Sequence, residues 1–570
     1  MMAASEGRFA ASQARLFQWA LPALLVLTAL AYAPLWHAGF CWDDEALVID
    51  NQLTGRPGVL DALLTRDLWS TTRLAMLPGG VHSGYYRPLM LLSLDLDRRL
   101  FGLSPGPAHL HSLAWHLLAV LALHQLLKRL VSPSAALLGA ALFALHPVQS
   151  EVLALVAARN DAMAAAFSFL ALGLVPSPQE RRPGRLLAAG LLTLLGLLSK
   201  ESAALIPAFL VALDLGRGGH TALRQGWPRY LALGLAVVTW LGLRAALGIR
   251  GGLGASTEPA TLLAQAGQVL GVYARLLLWP WPLSPARHLG WLPPVPSLLP
   301  ALLGLLALAV ARGRDRGLVL AGLAWAALGW LPSLAATLDK GLLGERYLYL
   351  PLAGLGLAAG AALGTVPRWL VPALAAPAVL VLQLRLPDWS SSEQIWRRAH
   401  ELAPTPYTAS GLGWYLHRDG DLQGAIPLFV QALAGEPPDL DPCELLLPAL
   451  LQDRDPARAA ELGGWAIDER GCPVQGQISQ QWALALASTG RWEEAVAALK
   501  RRPGGAVGPG LIVVGAAQAR AGNLAGLVTL TRAQPDPDRF LGQVAELLRL
   551  GGLPQAAVQV QALRAAPAPP

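Results

Sequence analysis

The chain has 570 residues, 54% hydrophobic and only 14% charged, with a mean hydropathy of +0.44. A soluble domain is about a quarter charged, so the composition excludes an ordinary soluble protein and indicates an integral membrane protein. The formal net charge of +7 does not point to nucleic acid, because much of it falls in loops between apolar runs, where basic residues set membrane orientation.

Apolar runs alternate with short polar loops to about residue 386, after which the sequence has the polar mix of a soluble protein. Two domains are predicted, a transmembrane domain over 1–386 and a repeat domain over 387–570. Arg8 and Arg15 precede the first apolar run, Leu16–Trp36. At roughly 20 residues that run suits a retained spanning helix better than a cleaved leader. The N-terminus is then cytoplasmic and the large loop 37–107 lies outside. A helix over about 108–127 returns to Lys128 and Arg129, one over about 133–146 goes out, and one over about 161–175 comes back to Arg181, Arg182 and Arg185. The run Leu186–Leu215 would be roughly 45 Å long as a single helix. It is interrupted by Ser199-Lys200-Glu201-Ser202 and flanked by arginines at both ends, so two crossings with an outer turn are predicted. A helix over about 230–247 exits to Arg250. Thr261–Pro282, with Arg275 in its middle and Trp279 and Trp281 at its end, reads as an interfacial helix, with a crossing as the alternative. Leu298–Ala311 leads inward to Arg312, Arg314 and Arg316. Helices over about 318–332, 347–365 and 369–386 then complete about eleven crossings. The inner loops are simple basic ones, and the C-terminal domain lies outside.

The outer ends of these helices carry charged motifs: Trp42-Asp43-Asp44-Glu45, Tyr85-Tyr86-Arg87-Pro88, His146-Pro147-Val148-Gln149-Ser150-Glu151, Arg159-Asn160-Asp161, Ser199-Lys200-Glu201 and Gly344-Glu345-Arg346-Tyr347. Ionisable groups at membrane depth are costly and mark function. A carboxylate can act as general base on a hydroxyl. Arginine and lysine can hold a phosphate and stabilise its charge as it leaves. With short spans and an interfacial helix, these groups describe transfer from a lipid-linked phosphate to an acceptor hydroxyl. His109, His111 and His116 read as packing or hydrogen-bonding residues. No metal-ligand spacing is present. Asp43-Asp44 is a candidate divalent-cation site, without a visible further ligand set.

Asp43-Asp44 followed by Asn51, YRPL at Tyr86–Leu89, HPV at His146–Val148 with Glu151, Arg159 and Asp161, Lys200-Glu201, and ERYLYLP at Glu345–Pro351 together resemble the transmembrane-and-tetratricopeptide-repeat O-mannosyltransferases and their bacterial relatives. These belong to the GT-C glycosyltransferases. The likeness covers nearly the whole chain and lies in the ordered set of motifs. The departures are Gln149 and Ser150, where relatives often read HPVHTE, and Leu352, where they often continue ERYLYLPS. The resemblance implies an all-α fold, a polytopic membrane helical bundle of GT-C type followed by an α-solenoid. It implies a polyprenyl-phosphate-sugar donor, with mannose the family inheritance, and inverting transfer to a protein or glycan hydroxyl. Asp43 or Asp44 is the implied base. Glu151 or Asp161 positions acceptor or sugar. Arg346, Lys200, Arg159 and Arg87 are donor-phosphate candidates, and Glu201 and Glu345 complete the substrate-binding set.

In the tail, GLGWYLHRDGDLQGAIPLFVQALAGEPP fits the tetratricopeptide pattern. Leu412-Gly413 form the first-helix pair, Gly420 the turn, and Ala425, Phe429 and Ala432 the packing stripe, with Pro437 ending the second helix. Looser copies turn near Arg454, Gly490, Gly522 and Gly552, giving about five repeats able to present a surface to an acceptor protein. Cys443 and Cys472 could pair if the tail is extracytoplasmic, with two free thiols as the alternative. Arginine outnumbers lysine 40 to 4, the usage of a GC-rich bacterial genome and hence of a bacterial inner membrane. The leading reading is a membrane glycosyltransferase. A catalytically inactive membrane-anchored repeat scaffold is the alternative, and a transporter is disfavoured because the acids gather at one face.

Overall fold

The computed structural model describes residues 19–570 apart from 74–83, 181, 250–258, 285, 292–303, 306–307, 309–314, 368, 437, 475–476, 502–505, 507 and 566–570. Arg8, Arg15, Arg181, Arg250, Arg312, Arg314 and Pro437, with most of the expected crossing Leu298–Ala311, lie outside the described residues. The described residues are mainly helical, and their β-structure is confined to two isolated bridges, Asn51 with Thr72 and His288 with Leu342. The chain divides into two compact units, Met1–Arg398 and Ala399–Pro570.

The first unit is a membrane helical bundle. Its main helices are α1 (Ala20–Tyr32), α2 (Pro88–Phe101), α3 (Pro105–Leu127), α4 (Pro133–Leu145), α5 (Arg159–Leu174), α6 (Pro183–Ser199), α7 (Ile206–Gln225), α8 (Trp227–Ala246), α9 (Pro259–Leu278), α10 (Asp315–Lys340), α11 (Tyr349–Leu363) and α12 (Leu370–Arg385). Proline opens α2, α3, α4, α6 and α9, where its missing N–H costs nothing. Among the described residues, six stretches are long and apolar enough to span a bilayer: Ala20–His37, Pro105–Leu127, Glu201–Gln225, Trp227–Ala246, Glu345–Leu363 and Leu370–Trp389. The pair Pro133–Leu145 and Pro147–Ala154, bent by 48°, is a seventh candidate.

That bend sits at the HPV motif. Pro147 disfavours the helical conformation at His146, which is extended at φ −62°, ψ 128°. A similar break at Lys200 (φ −158°, ψ 140°) splits the long apolar run into α6 and α7. Helix α5 is buried on nearly every side, from Arg159 to Leu172. Beside it an aromatic core joins Phe143, Phe169, Tyr349, His116, Trp325 and Phe209, with successive ring centroids 4.7–5.9 Å apart. His116 ties this core together, since the Tyr349 hydroxyl meets its Nδ1 at 2.7 Å and the Ala144 carbonyl its Nε2 at 3.1 Å. Helix α9 turns Val269, Val272, Tyr273 and Leu276 into the core. The basic segment after Leu215, expected as a simple loop, is helical, in α7 and the start of α8. Arg229 is buried and paired to Asp214, which also accepts from the Tyr230 hydroxyl.

The second unit is built of helical hairpins. The helices are α13 (Pro406–Arg418), α14 (Leu422–Ala434), α15 (Leu446–Gln452), α16 (Pro456–Asp468), α17 (Ile478–Ser488), α18 (Trp492–Lys500), α19 (Pro509–Arg520), α20 (Leu524–Arg532), α21 (Pro537–Leu550) and α22 (Pro554–Ala565). Gly420, Arg454, Gly490, Gly522 and Gly552, which turn five successive helix pairs, all adopt positive φ. Asp421, Asp455 and Asn523 follow three of these turns and cap the next helix by accepting the N–H of Gly424, Arg458 and Gly526. Cys443 and Cys472 form a disulfide, with their Cα atoms 5.6 Å apart.

Candidate functional site

Asp43 and Asp44 open a short helical turn after α1. Trp42 precedes them at φ +52°, a conformation rare for a bulky residue. Its N–H is held by the Ser392 hydroxyl at 2.9 Å. Consecutive helical residues point about 100° apart, so the two carboxylates go to different places.

Asp44 goes inward and is fully buried. Its Oδ1 accepts the Ala157 N–H at 2.6 Å, and its Oδ2 accepts the N–H groups of Val156 at 3.0 Å and Cys41 at 3.5 Å. Val156–Ala158 is the 3₁₀ turn that leads directly into α5. Asp44 therefore caps that element from a distance, where a carboxylate meets orphan N–H donors and the positive end of the helix dipole. Burial pushes its pKa up to about 7, against the pull of the three N–H donors and with a further push from Asp43. A divalent cation does not fit the pair, because the Asp44 oxygens face N–H donors and Asp43 faces an arginine. Among the described residues no group of three His, Cys, Asp or Glu side chains could hold a metal ion.

Asp43 keeps a quarter of its side chain exposed, 26%. Its Oδ2 lies 3.5 Å from Nη2 of Arg346. Arg346 is in turn held by Glu151, whose Oε1 accepts from Nη1 at 2.9 Å and whose Oε2 accepts the Arg346 N–H at 3.1 Å. Glu151 is 1% exposed and Arg346 21%. One arginine thus bridges a buried carboxylate and an accessible one.

Two more ion pairs share this site, one buried and one part-buried. Lys200 Nζ binds both oxygens of Asp161, at 2.6 and 2.7 Å. Burial lowers the Lys200 pKa, Asp161 opposes that shift and Arg87 adds to it. Arg87 makes a two-pronged pair with Glu201, at 2.9 and 2.5 Å, and its guanidinium stands 4.4 Å from the Tyr85 ring centre. The Tyr347 ring has Arg346 at 5.5 Å and Lys200 at 6.0 Å, so one aromatic ring links two cations. Tyr85 and Tyr347 were not singled out as site residues from the sequence. Their signal is position, Tyr347 next to Arg346 and Tyr85 two residues before Arg87.

Two of the expected site residues lie elsewhere. Arg159 is fully buried, pairs with Asp97 at 2.6 Å, and donates to the hydroxyls of Ser112 and Ser93 and the Ala108 carbonyl. It anchors the start of α5 to α2 and α3, and none of these partners is Asp43, Arg346 or Glu151. Glu345 accepts the Ser284 N–H and the Arg287 side chain, both at 2.7 Å, and has Arg385 at 3.7 Å. It fastens the loop behind Arg346. His146 contacts the Leu277 carbonyl through Nε2 at 3.1 Å, tying the HPV bend to the end of α9.

Residues 87–242 match the family model described as dolichyl-phosphate-mannose-protein mannosyltransferase. The protein O-mannosyl-transferase Tmtc1 of Drosophila melanogaster is 33% identical over 181 residues, 31% of this chain and 20% of that protein. The human protein O-mannosyl-transferase TMTC3 is 27% identical over 154 residues, 26% of this chain and 16% of that protein. The chain is similar to the protein O-mannosyl-transferases. It spans a fifth or less of the length of these two relatives. Among solved structures, ArnT from Cupriavidus metallidurans bound to undecaprenyl phosphate is 15% identical, with 97% of this chain and 78% of that chain covered and a TM-score of 0.36. The oligosaccharyltransferase of Archaeoglobus fulgidus with a tethered acceptor peptide is 14% identical, with 66% and 55% covered and a TM-score of 0.38.

Proposed function

We propose that the chain is a membrane glycosyltransferase that moves a sugar, mannose by analogy with its relatives, from a polyprenyl-phosphate donor to a protein or glycan hydroxyl on the extracytoplasmic face. The observation that carries this reading is the Asp43–Arg346–Glu151 arrangement, an accessible carboxylate beside a cation that a buried acid holds in place. Asp43 takes the proton from the acceptor hydroxyl. The acceptor oxygen then forms its bond to the anomeric carbon as the bond from that carbon to the phosphate oxygen breaks. The phosphate leaves with the electron pair, its charge met by Arg346 with Lys200 and Arg87 nearby. Attack opposite the leaving group inverts the anomeric carbon. Asp44 is a positioning residue in this scheme, as is Arg159.

The family description of residues 87–242 supports a polyprenol-type phosphate donor. The Cys443–Cys472 disulfide supports an extracytoplasmic second unit, because such bonds persist in oxidising compartments. Arginine-rich usage supports a bacterial inner membrane. The helical hairpins of the second unit would present a protein acceptor.

The test uses the purified full chain with polyprenyl-phosphate sugars and candidate acceptor proteins. Wild type should transfer sugar, and Asp43→Asn should transfer at least about 100-fold more slowly, the usual worth of a general base. Equal rates for the two proteins would remove Asp43 from the chemistry, and no transfer by wild type across the panel would favour the scaffold reading.

A further inference from the structure

Three separate segments supply Asp43, Glu151 and Arg346, and one stretch of chain reaches all three. That stretch is Arg385–Trp396: the last residue of α12, the 3₁₀ turn Leu386–Trp389 and the start of the helix Ser392–Leu402. It belongs to the first unit, which extends to Arg398. Trp389 is fully buried, and its carbonyl accepts from the Gly39 N–H and the Cys41 thiol, both at 3.3 Å. The 3₁₀ turn lies beside Ser150–Ala154, which carries Glu151. Arg385 is buried, pairs with Asp388 at 2.8 Å and comes within 3.7 Å of Glu345, the residue before Arg346.

The tie at Ser392 is the most specific of these. Its hydroxyl accepts the Trp42 N–H at 2.9 Å and donates to Glu45 at 2.5 Å. A serine hydroxyl can donate and accept at once, and this one does so to the residues on either side of Asp43 and Asp44. The Trp42 and Trp396 rings are 5.7 Å apart. Trp42, at φ +52°, is in a conformation that costs a bulky residue free energy and persists only where its surroundings enforce it. Ser392 and Trp396 supply that enforcement. Gly39 permits the close approach, since a Cβ there would stand 2.5 Å from the Ser390 carbonyl oxygen.

Loss of the tie would affect the two carboxylates unequally. Asp44 is fixed by the N–H groups of Val156, Ala157 and Cys41. Asp43 is part exposed, with Arg346 at 3.5 Å, so its direction follows the backbone at Trp42. We infer that Arg385–Trp396 is a strap that aims Asp43 at the reacting centre, with Ser392 as the positioning residue through which it acts. The consequence for sugar transfer rests on the proposed function, whereas the hold on the turn does not.

The test compares Ser392→Ala and Ser392→Thr with wild type as purified full chains, by amide hydrogen exchange and by sugar transfer. In Ser392→Ala the Trp42 amide should exchange about tenfold faster, the worth of one hydrogen bond, while the amides of Val156 and Ala157 stay as slow as in wild type. Its kcat should fall about ten- to a hundredfold, as misplacing a reacting group does, with donor KM within about twofold, because Arg346, Lys200 and Arg87 keep their partners. Ser392→Thr keeps the hydroxyl and should restore both the protection of Trp42 and kcat. Unchanged Trp42 exchange in Ser392→Ala, or exchange that rises equally at Val156 and Ala157, overturns the inference. So does an unchanged kcat in Ser392→Ala, or a Ser392→Thr that melts as wild type does yet leaves Trp42 unprotected. If wild type transfers no sugar, the proposed function fails, and the exchange of Trp42 alone decides whether the strap holds the turn.

Discussion

Asp43 and Asp44 are neighbours in sequence, and substitution should separate them completely. In Asp44→Ala the N–H groups of Ala157 and Val156, which now donate at 2.6 and 3.0 Å, lose their acceptor in a fully buried position. An unsatisfied buried donor costs about 1–3 kcal/mol, so losing the acceptor for both costs about 4 kcal/mol, and the turn leading into α5 loosens. Asn caps a helix nearly as well as Asp, so Asp44→Asn should cost far less. The titration of this carboxyl adds a sign. Its folded pKa of about 7 lies above the ordinary 3.8, so its contribution to stability is full below about pH 4 and is lost as the pH rises through about 7. Asp44→Asn should therefore gain stability relative to wild type as the pH rises from 5 to 8. Asp43→Asn changes only a part-exposed pair, worth about 0–1 kcal/mol. It should melt like wild type and lose transfer. The assay is thermal unfolding of the purified protein at the two pH values, alongside sugar transfer. Asp44→Ala melting within a degree of wild type, or Asp43→Asn melting as low as Asp44→Ala, would refute the assignment.

Glu151→Gln should retain an acceptor for the Arg346 N–H while releasing the guanidinium, so donor KM should rise and transfer fall by about tenfold or more, with Arg346→Lys at least as severe because lysine lacks the planar fork whose two ends reach Glu151 and Asp43; steady-state kinetics with varied donor would show it, and unchanged KM and rate would count against Arg346 as a donor ligand. Cys443→Ser should lower the stability of the second unit by about 3–4 kcal/mol, the entropy of the 29-residue separation it closes, read by denaturant unfolding with and without reductant. Gly413→Ala should cost about 1–3 kcal/mol, because the new methyl would meet the Phe429 ring at 2.8 Å in a filled core; an unchanged midpoint would mean the hairpin has room that the packing denies.

Composition and hydropathy were enough to recognise a membrane bundle, since burial in lipid demands long apolar helices whatever their partners. The interruption at Lys200 and the proline at 147 were readable as breaks, and the turns at Gly420, Arg454, Gly490, Gly522 and Gly552 fall where local sequence puts them. All are short-range matters of backbone preference. The charged motifs were legible as candidates for the same reason that they are costly, because ionisable groups rarely stand beside apolar helices without purpose. Their division of labour was not legible. Asp43 and Asp44 have the same chemistry, and only the turn begun at Trp42 sends one to the N–H groups of Val156 and Ala157 and the other to Arg346. Arg159 and Arg346 both looked like phosphate ligands, yet Asp97, Ser93 and Ser112 enclose the first while Glu151 leaves the second part exposed. Those partners come from segments distant in the chain, and the distances between them exist only once the helices have packed. Asp43 and Asp44 thus become one candidate base and one cap, a distinction made by tertiary contacts.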